Sequence, residues 1–224
     1  MSLIKSIATV GGFTLLSRLI GFLRDILIAA FLGASMAADA FFVAWRFPNL
    51  FRSLFAEGTV NVSFVPIFTE KLRNQNKQQA EQFACEAFSF LFYVLLVFVL
   101  FMEIFMPQAT FVMAPGFDKI AGKMALTCYL SRITFPFLIF VSLVSLLAGV
   151  LNSVGRFAAA AFTPCILNVV MILFLVVLSA LTDKPAEALS IGVLSAGVFE
   201  LIFLYACVKR AGFFIRLISP FRLF

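Results

Sequence analysis

The sequence predicts an all-α integral membrane protein, a bundle of six transmembrane helices joined by short loops. Of its 224 residues 63% are hydrophobic and only 12% charged, against about 45–50% and about 25% in soluble domains. Mean hydropathy is +1.10. Crossing a hydrocarbon core of about 30 Å takes about 20 mostly apolar residues, so a chain of this length holds about six spans and leaves no room for a separate soluble domain. Residues 1–209 therefore read as one membrane lobe and residues 210–224 as a basic, aromatic segment attached to it.

Apolar runs bounded by polar residues, Gly or Pro place the spans near 8–32, 38–68, 83–107, 124–151, 161–181 and 187–208. The first also reads as its own targeting signal, because Arg18 and Arg24 interrupt the run and no small-residue cleavage site follows. The second is too long to be straight. Its 31 residues make about 46 Å of helix at about 1.5 Å per residue, and Pro48, Gly58 and Pro66 supply places to bend beside a cavity. The last segment, KRAGFFIRLISPFRLF, is too short and too basic to cross and is expected at the membrane surface as an amphipathic stretch.

Basic residues orient such a bundle, because cytoplasmic loops are enriched in them. With the N-terminus inside, Lys5, Lys71, Arg73, Lys77, Arg156, Lys209, Arg210, Arg216 and Arg222 fall on the cytoplasmic side, against Lys119, Lys123 and Lys184 outside. That distribution favours both termini in the cytoplasm. It also accounts for the formal charge of +6 without nucleic acid as a partner.

Composition excludes several chemistries. There is no histidine, which removes the usual neutral-pH base and the commonest metal ligand. Cys85, Cys128, Cys165 and Cys207 are far apart, without metal-ligand spacing, and read as small buried apolar residues. A membrane enzyme acting on a prenyl phosphate needs a carboxylate cluster, an activated nucleophile or metal ligands, and no such run occurs. Neither an enzyme nor a bound cofactor or metal is expected.

The informative residues are charges inside spans: Arg18 and Arg24 in the first, Arg46 and Arg52 in the second, Arg132 in the fourth. A central arginine costs about 2.5–3.5 kcal/mol on insertion scales, so each needs water, a partner or a ligand. Two accounts compete. Asp25, Asp39 and Glu57 lie in the same two helices, and helical spacing sets Arg18 with Asp25 and Asp39 with Arg46 on common faces, which allows a purely structural ion-pair network. The other account is a hydrated ligand cavity, and it is favoured because arginine's planar fork matches phosphate with two parallel charge-assisted hydrogen bonds. Sulfate, carboxylate or an acidic headgroup satisfies the same forks. Glu86 and Glu103 read as interfacial, Arg132 as snorkelling, and Glu200, deeper in its span, as a candidate proton or ion site. Gly21, between two of the arginines, reads as a helix-packing position or a hinge.

The runs LLSRLIGFLRD at 15–25, GASMAADAFFVAWRFPNLFRSLFAEG at 33–58 and VSFVPIF at 62–68 resemble the opening of the MurJ (MviN) family of bacterial lipid II flippases. APGF at 114–117, ITFPF at 133–137, LN at 151–152 and RF at 156–157 extend the match. The resemblance implies the first lobe of a two-lobed transporter of the multidrug and polysaccharide-lipid exporter (MOP) superfamily, in the inner membrane, with the C-terminal lobe missing from this chain. The implied substrate and partner is lipid II, moved from the inner to the outer leaflet by alternating access through a cationic cavity, amid membrane lipids. The family's cavity residues fall on Arg18, Arg24, Asp25, Asp39 and Arg52, with Glu57 in the matching AEG motif and Arg46 in a supporting role. A sister exporter of polysaccharide-lipid or drugs, and a non-transporting scaffold for cell-wall assembly, are the competing readings.

Overall fold

The computed structural model describes residues 3–53, 63–74 and 76–219, with side chains from residue 8 onward. Among these residues there are nine α-helices and no strand: α1 (Leu3–Leu32), α2 (Met36–Arg52), α3 (Val65–Asn74), α4 (Lys77–Ile104), α5 (Met106–Met113), α6 (Lys123–Thr134), α7 (Phe137–Ser153), α8 (Phe157–Thr182) and α9 (Pro185–Arg210). Four stretches are long and apolar enough to cross a membrane: Lys77–Ile104, Lys123–Ser153, Phe157–Thr182 and Pro185–Arg210. Apolar side chains such as Val97, Leu100 and Ile104 on α4, and Leu173, Val177 and Leu181 on α8, remain exposed on the outside of the bundle. Such a surface suits lipid, where helix association rests on packing and polar contacts and not on escape from water.

Local chemistry sets the ends of these helices. The left-handed Gly33 (φ +56°) closes α1, and Ser35 caps α2 by accepting a hydrogen bond from the Ala38 amide at 3.2 Å. Asn76 caps α4 in the same way through the Gln79 amide at 2.8 Å. Between α6 and α7 the chain breaks at Phe135 and Pro136. Proline offers no amide hydrogen and crowds the preceding turn, so the single apolar stretch Lys123–Ser153, expected as a span over 124–151, contains two helices.

The core forms where α4, α7 and α9 meet, around Leu95, Leu138, Leu147, Val150 and Leu204. Close approach of α7 to α9 depends on Gly197: a Cβ there would lie 2.7 Å from Phe137 Cδ2 and 2.9 Å from Phe140 Cβ. A second cluster, with Ile28, Phe41, Ala44, Leu130 and Leu189, ties α1 and α2 to α6, α8 and α9. α1 itself packs chiefly on α8, and α2 on α6.

Two prolines stand inside helices, and each frees the carbonyl four residues earlier. Pro48 in α2 frees the carbonyl of Ala44, and the Thr134 hydroxyl of α6 donates to it at 2.9 Å. Pro164 in α8 frees the carbonyl of Ala160, and its own neighbour Thr163 donates there at 2.9 Å. Of the bends expected in the second span, α2 continues past Pro48, Pro66 lies in the first turn of α3, and Gly58 falls outside the described residues.

In the basic, aromatic segment after α9, the described residues 213–219 form no helix. It runs along α4: the Arg216 amide donates to Cys85 Sγ at 3.4 Å and the Ile218 amide to Ser89 Oγ at 2.8 Å. Phe213 and Ile215 are buried while Phe214 and Arg216 face out. Over residues 213–216 burial therefore alternates with a period of two.

Candidate functional site

Among the charged residues of α1 and α2, Arg24 and Asp39 are each held by a helix distant in sequence. Arg24 is three-quarters of the way along α1. Its Nε and Nη2 donate to Asp25 Oδ1 at 3.0 and 2.8 Å, and its Nη1 donates to Asn168 Oδ1 of α8 at 2.7 Å. The Asn168 amide is itself oriented, because its Nδ2 donates to the Ser17 carbonyl of α1 at 3.1 Å. α8 comes this close because residue 21 is glycine: a Cβ there would lie 3.3 Å from Asn168 Nδ2. Gly21 is thus a packing position at this contact.

Arginine carries five N–H donors. Three are engaged by Asp25 and Asn168, so two remain, one on each terminal nitrogen. The Arg24 side chain is 19% exposed and the Asp25 side chain 62%. An ion pair with so solvated an acid contributes little stability, and an incoming anion can replace it at small cost. Arg24 and Asp25 line a cavity of about 480 Å³ together with Ile28, Ala29, Gly33 and Phe42. This is a held arginine with donors to spare beside open volume, the chemistry of an anion site.

Asp39 has a different partner from the one its helical face implies. Its Oδ2 accepts from Lys123 Nζ at 2.6 Å. Lys123, expected among the outer loop charges, is the first residue of α6 and is buried, its ammonium 4.1 Å from the centre of the Phe117 ring. A cation at a helix N-terminus opposes the helix dipole, and the Asp39 carboxylate offsets that cost. Asp39 therefore ties α2 to α6 and does not pair with Arg46, just as Asp25 pairs with Arg24 and not Arg18.

Arg52, at the end of α2, lines a separate cavity of about 340 Å³ between α2, α7, α8 and α9, with Asn49, Ser145, Thr163 and Glu200 also on its wall. Arg18 and Arg46 are exposed on α1 and α2. Glu57 lies outside the described residues. The structure thus joins Arg24 to Asp25, sets Arg52 in a second cavity, and leaves Arg18 and Arg46 facing outward. Asn168 and Lys123 are partners of Arg24 and Asp39 that the sequence reading does not assign. The signal for Asn168 was a carboxamide alone in the apolar run CILNVVM, since a buried amide in a membrane helix requires a partner. No group of residues able to hold a metal ion occurs among the described residues.

Comparison with known proteins places the chain in a family. Residues 28–223 match the family model described as lipid II flippase MurJ. A probable lipid II flippase MurJ of Rhizobium tropici is 45% identical over 224 residues, covering 98% of this chain and 42% of the relative. A lipid II flippase MurJ of Burkholderia cenocepacia is 38% identical, covering 90% and 39%. A solved structure of lipid II flippase MurJ in an inward closed conformation superposes with a TM-score of 0.72 at 24% identity, over 93% of this chain and 43% of that one. The chain spans about two fifths of the length of these curated relatives.

Proposed function

Because the chain belongs to the lipid II flippase MurJ family, we propose that it is the first lobe of a transporter that moves lipid II from the inner to the outer leaflet of the bacterial inner membrane. In this reading the lobe has six spans within residues 1–209, both termini on the cytoplasmic side, and no catalytic step of its own. Its second lobe completes a central cavity that opens alternately to the two faces.

The observation that carries the proposal is Arg24, fixed by Asn168 and Asp25 with two N–H donors left over. A diphosphate cannot enter hydrocarbon without a substitute for its hydration. Arginines on a wet cavity wall supply that substitute while the prenyl chain stays in lipid. Arg24 and Arg52 grip the diphosphate, Arg18 and Arg46 support it electrostatically, and Asp25 takes Arg24 back once the lipid leaves. Asp39, through Lys123, holds the position of α2 against α6. Glu57 belongs to the same group of supporting acids.

The test is outer-leaflet exposure of lipid II in cells depleted of their own flippase. The cells receive this chain, a full-length form containing it, or the full-length form with Arg24→Ala. Exposure is expected from the unmutated full-length form, with loss of at least about tenfold on Arg24→Ala, the scale of one lost charge-assisted contact. Equal restoration by Arg24→Ala overturns the cationic cavity, and no restoration by the full-length form overturns the substrate.

A further inference from the structure

The end of the bundle where α8 begins and α9 stops carries another cationic cavity. It measures about 270 Å³, with Arg156 and Arg210 on its wall beside Leu151, Gly155, Phe157 and Cys207, and no carboxylate lines it. Arg156 is steered there by one contact, its Nη1 donating to the Arg210 carbonyl at 3.3 Å. Four of its five N–H donors remain, and the Arg210 guanidinium has no partner among the described residues. Orientation signals account for basic residues at the end of a bundle, but not for two arginines that share one cavity.

An apolar groove follows on the same helix pair. α8 and α9 are neighbours joined through Asp183 and Lys184, so the Phe157 end of α8 lies beside the Arg210 end of α9. The groove, of about 480 Å³, has Ile166, Val170, Leu173, Phe199, Ile202 and Phe203 on its walls. Ile166 stands seven residues after Ala159 of the cavity, and Phe203 seven before Arg210. Seven residues are two turns, which bring each helix back to the same side about 10 Å further along. Between the two sites Phe162 packs on Phe203, with ring centres 5.6 Å apart. Ile166 and Val170 each stand two residues from Asn168, about 160° round α8, so the groove faces away from the Arg24 contact.

We propose that Arg156, Arg210 and the α8/α9 groove bind one anionic glycerophospholipid of the surrounding membrane. Its phosphodiester sits between the two guanidiniums, whose forks match phosphate oxygens, and one acyl chain lies along the groove. A basic pocket between membrane helices is the chemistry that selects an anionic lipid headgroup. The spacing suits a molecule whose charge and apolar chain are joined by a short glycerol backbone, whereas a soluble phosphate would use the cavity and leave the groove empty. The lipid is a resident of the lobe and not its cargo, because it sits on the side of α8 turned away from Arg24, where it braces α8 against α9.

The probe is dioleoylphosphatidylglycerol, titrated into the detergent-purified chain and counted as bound copies by native mass spectrometry. Dioleoylphosphatidylcholine and soluble glycerol 3-phosphate are titrated beside it. The proteins, each first checked by thermal melting, are wild type, Arg156→Gln, Arg210→Gln and the double variant. Two more complete the set: Ile202→Trp, which fills the groove, and Arg73→Gln, which removes an exposed charge on α3. Wild type is expected to bind the anionic lipid at least about tenfold tighter than the zwitterionic one, each arginine lost costing about fivefold. Glycerol 3-phosphate should bind at least about tenfold more weakly than the lipid, for want of an apolar chain. Ile202→Trp should weaken the lipid about fivefold, and Arg73→Gln should match wild type. Equal binding of the two lipids by wild type, or a preference undiminished in the double variant, overturns the site. An equal loss in Arg73→Gln overturns it too, by showing a general effect of charge. Glycerol 3-phosphate binding as tightly as the lipid, with Ile202→Trp lacking effect, overturns the lipid as occupant and leaves a site for soluble phosphate. If the double variant does not fold, Arg210→Gln decides in its place, since that side chain has no partner to lose among the described residues.

Discussion

The α4/α7/α9 core and the α1/α2 edge satisfy their polar groups in opposite ways. In and beside the core, hydroxyls turn back on their own helices: Ser89 donates to the Cys85 carbonyl, Ser153 to Gly149 and Ser190 to Ala186, each four residues back. None of these three hydroxyls takes a polar partner from another helix, and the helices associate by shape. At the edge, polar groups reach across helices: Arg24 to Asn168, Asn168 to Ser17, Lys123 to Asp39, and Thr134 to the Ala44 carbonyl. Packing fixes the core, whereas a few discrete contacts fix the edge. An edge held by exchangeable contacts can bind and release a charged ligand without disturbing the core behind it.

The sharpest way to break this contrast is to overfill the core. Gly197→Ala places a methyl group within 3.0 Å of two phenylalanines and is expected to cost about 3 kcal/mol, at the upper end for overpacking, read as a lowered thermal midpoint of the detergent-purified chain. A midpoint unchanged from wild type would show that α7 and α9 are not packed to contact.

The next effect is on the edge and is reciprocal. Thr134→Val orphans the Ala44 carbonyl that Pro48 leaves open and is expected to cost about 2 kcal/mol, the scale of a buried unsatisfied acceptor. Adding Pro48→Ala supplies an amide to the same carbonyl and should recover most of the loss. Additive destabilisation in the double variant would show that the threonine is not serving the proline.

The smallest stability effect should carry the clearest functional one. Asn168→Ala removes the hydrogen bond that aims Arg24, at a stability cost of about 1 kcal/mol, while binding of farnesyl diphosphate weakens about tenfold. Asn168→Asp should retain aim but lose affinity through its added negative charge. If Asn168→Ala lowers the melting point and leaves binding intact, the residue only joins α1 to α8.

Much of this was legible before any fold was known. Uninterrupted apolar runs announced helices for a membrane, and α4, α8 and α9 occupy stretches where such runs were read. The cost of arginine in hydrocarbon directed attention to α1 and α2, and in the structure Arg24 lines a cavity on α1. Less legible were the partners. Helical spacing pairs Arg18 with Asp25 and Asp39 with Arg46, yet Asp25 bonds its neighbour Arg24 and Asp39 bonds Lys123, 84 residues away. Spacing along one helix cannot register a competing group delivered by another.

What the sequence determined by itself is the solvent of the protein and the residue types that need explaining. Hydropathy and charge cost are summed residue by residue along the chain and need no fold to evaluate. Tertiary structure decided which groups meet. The course of residues 213–219 along α4, the Asn168 contact and the common cavity of Arg52 and Glu200 all depend on where remote helices lie. A hydrogen bond requires two atoms within about 3 Å of each other, and only the packing of α8 on α1 brings Arg24 and Asn168 that close.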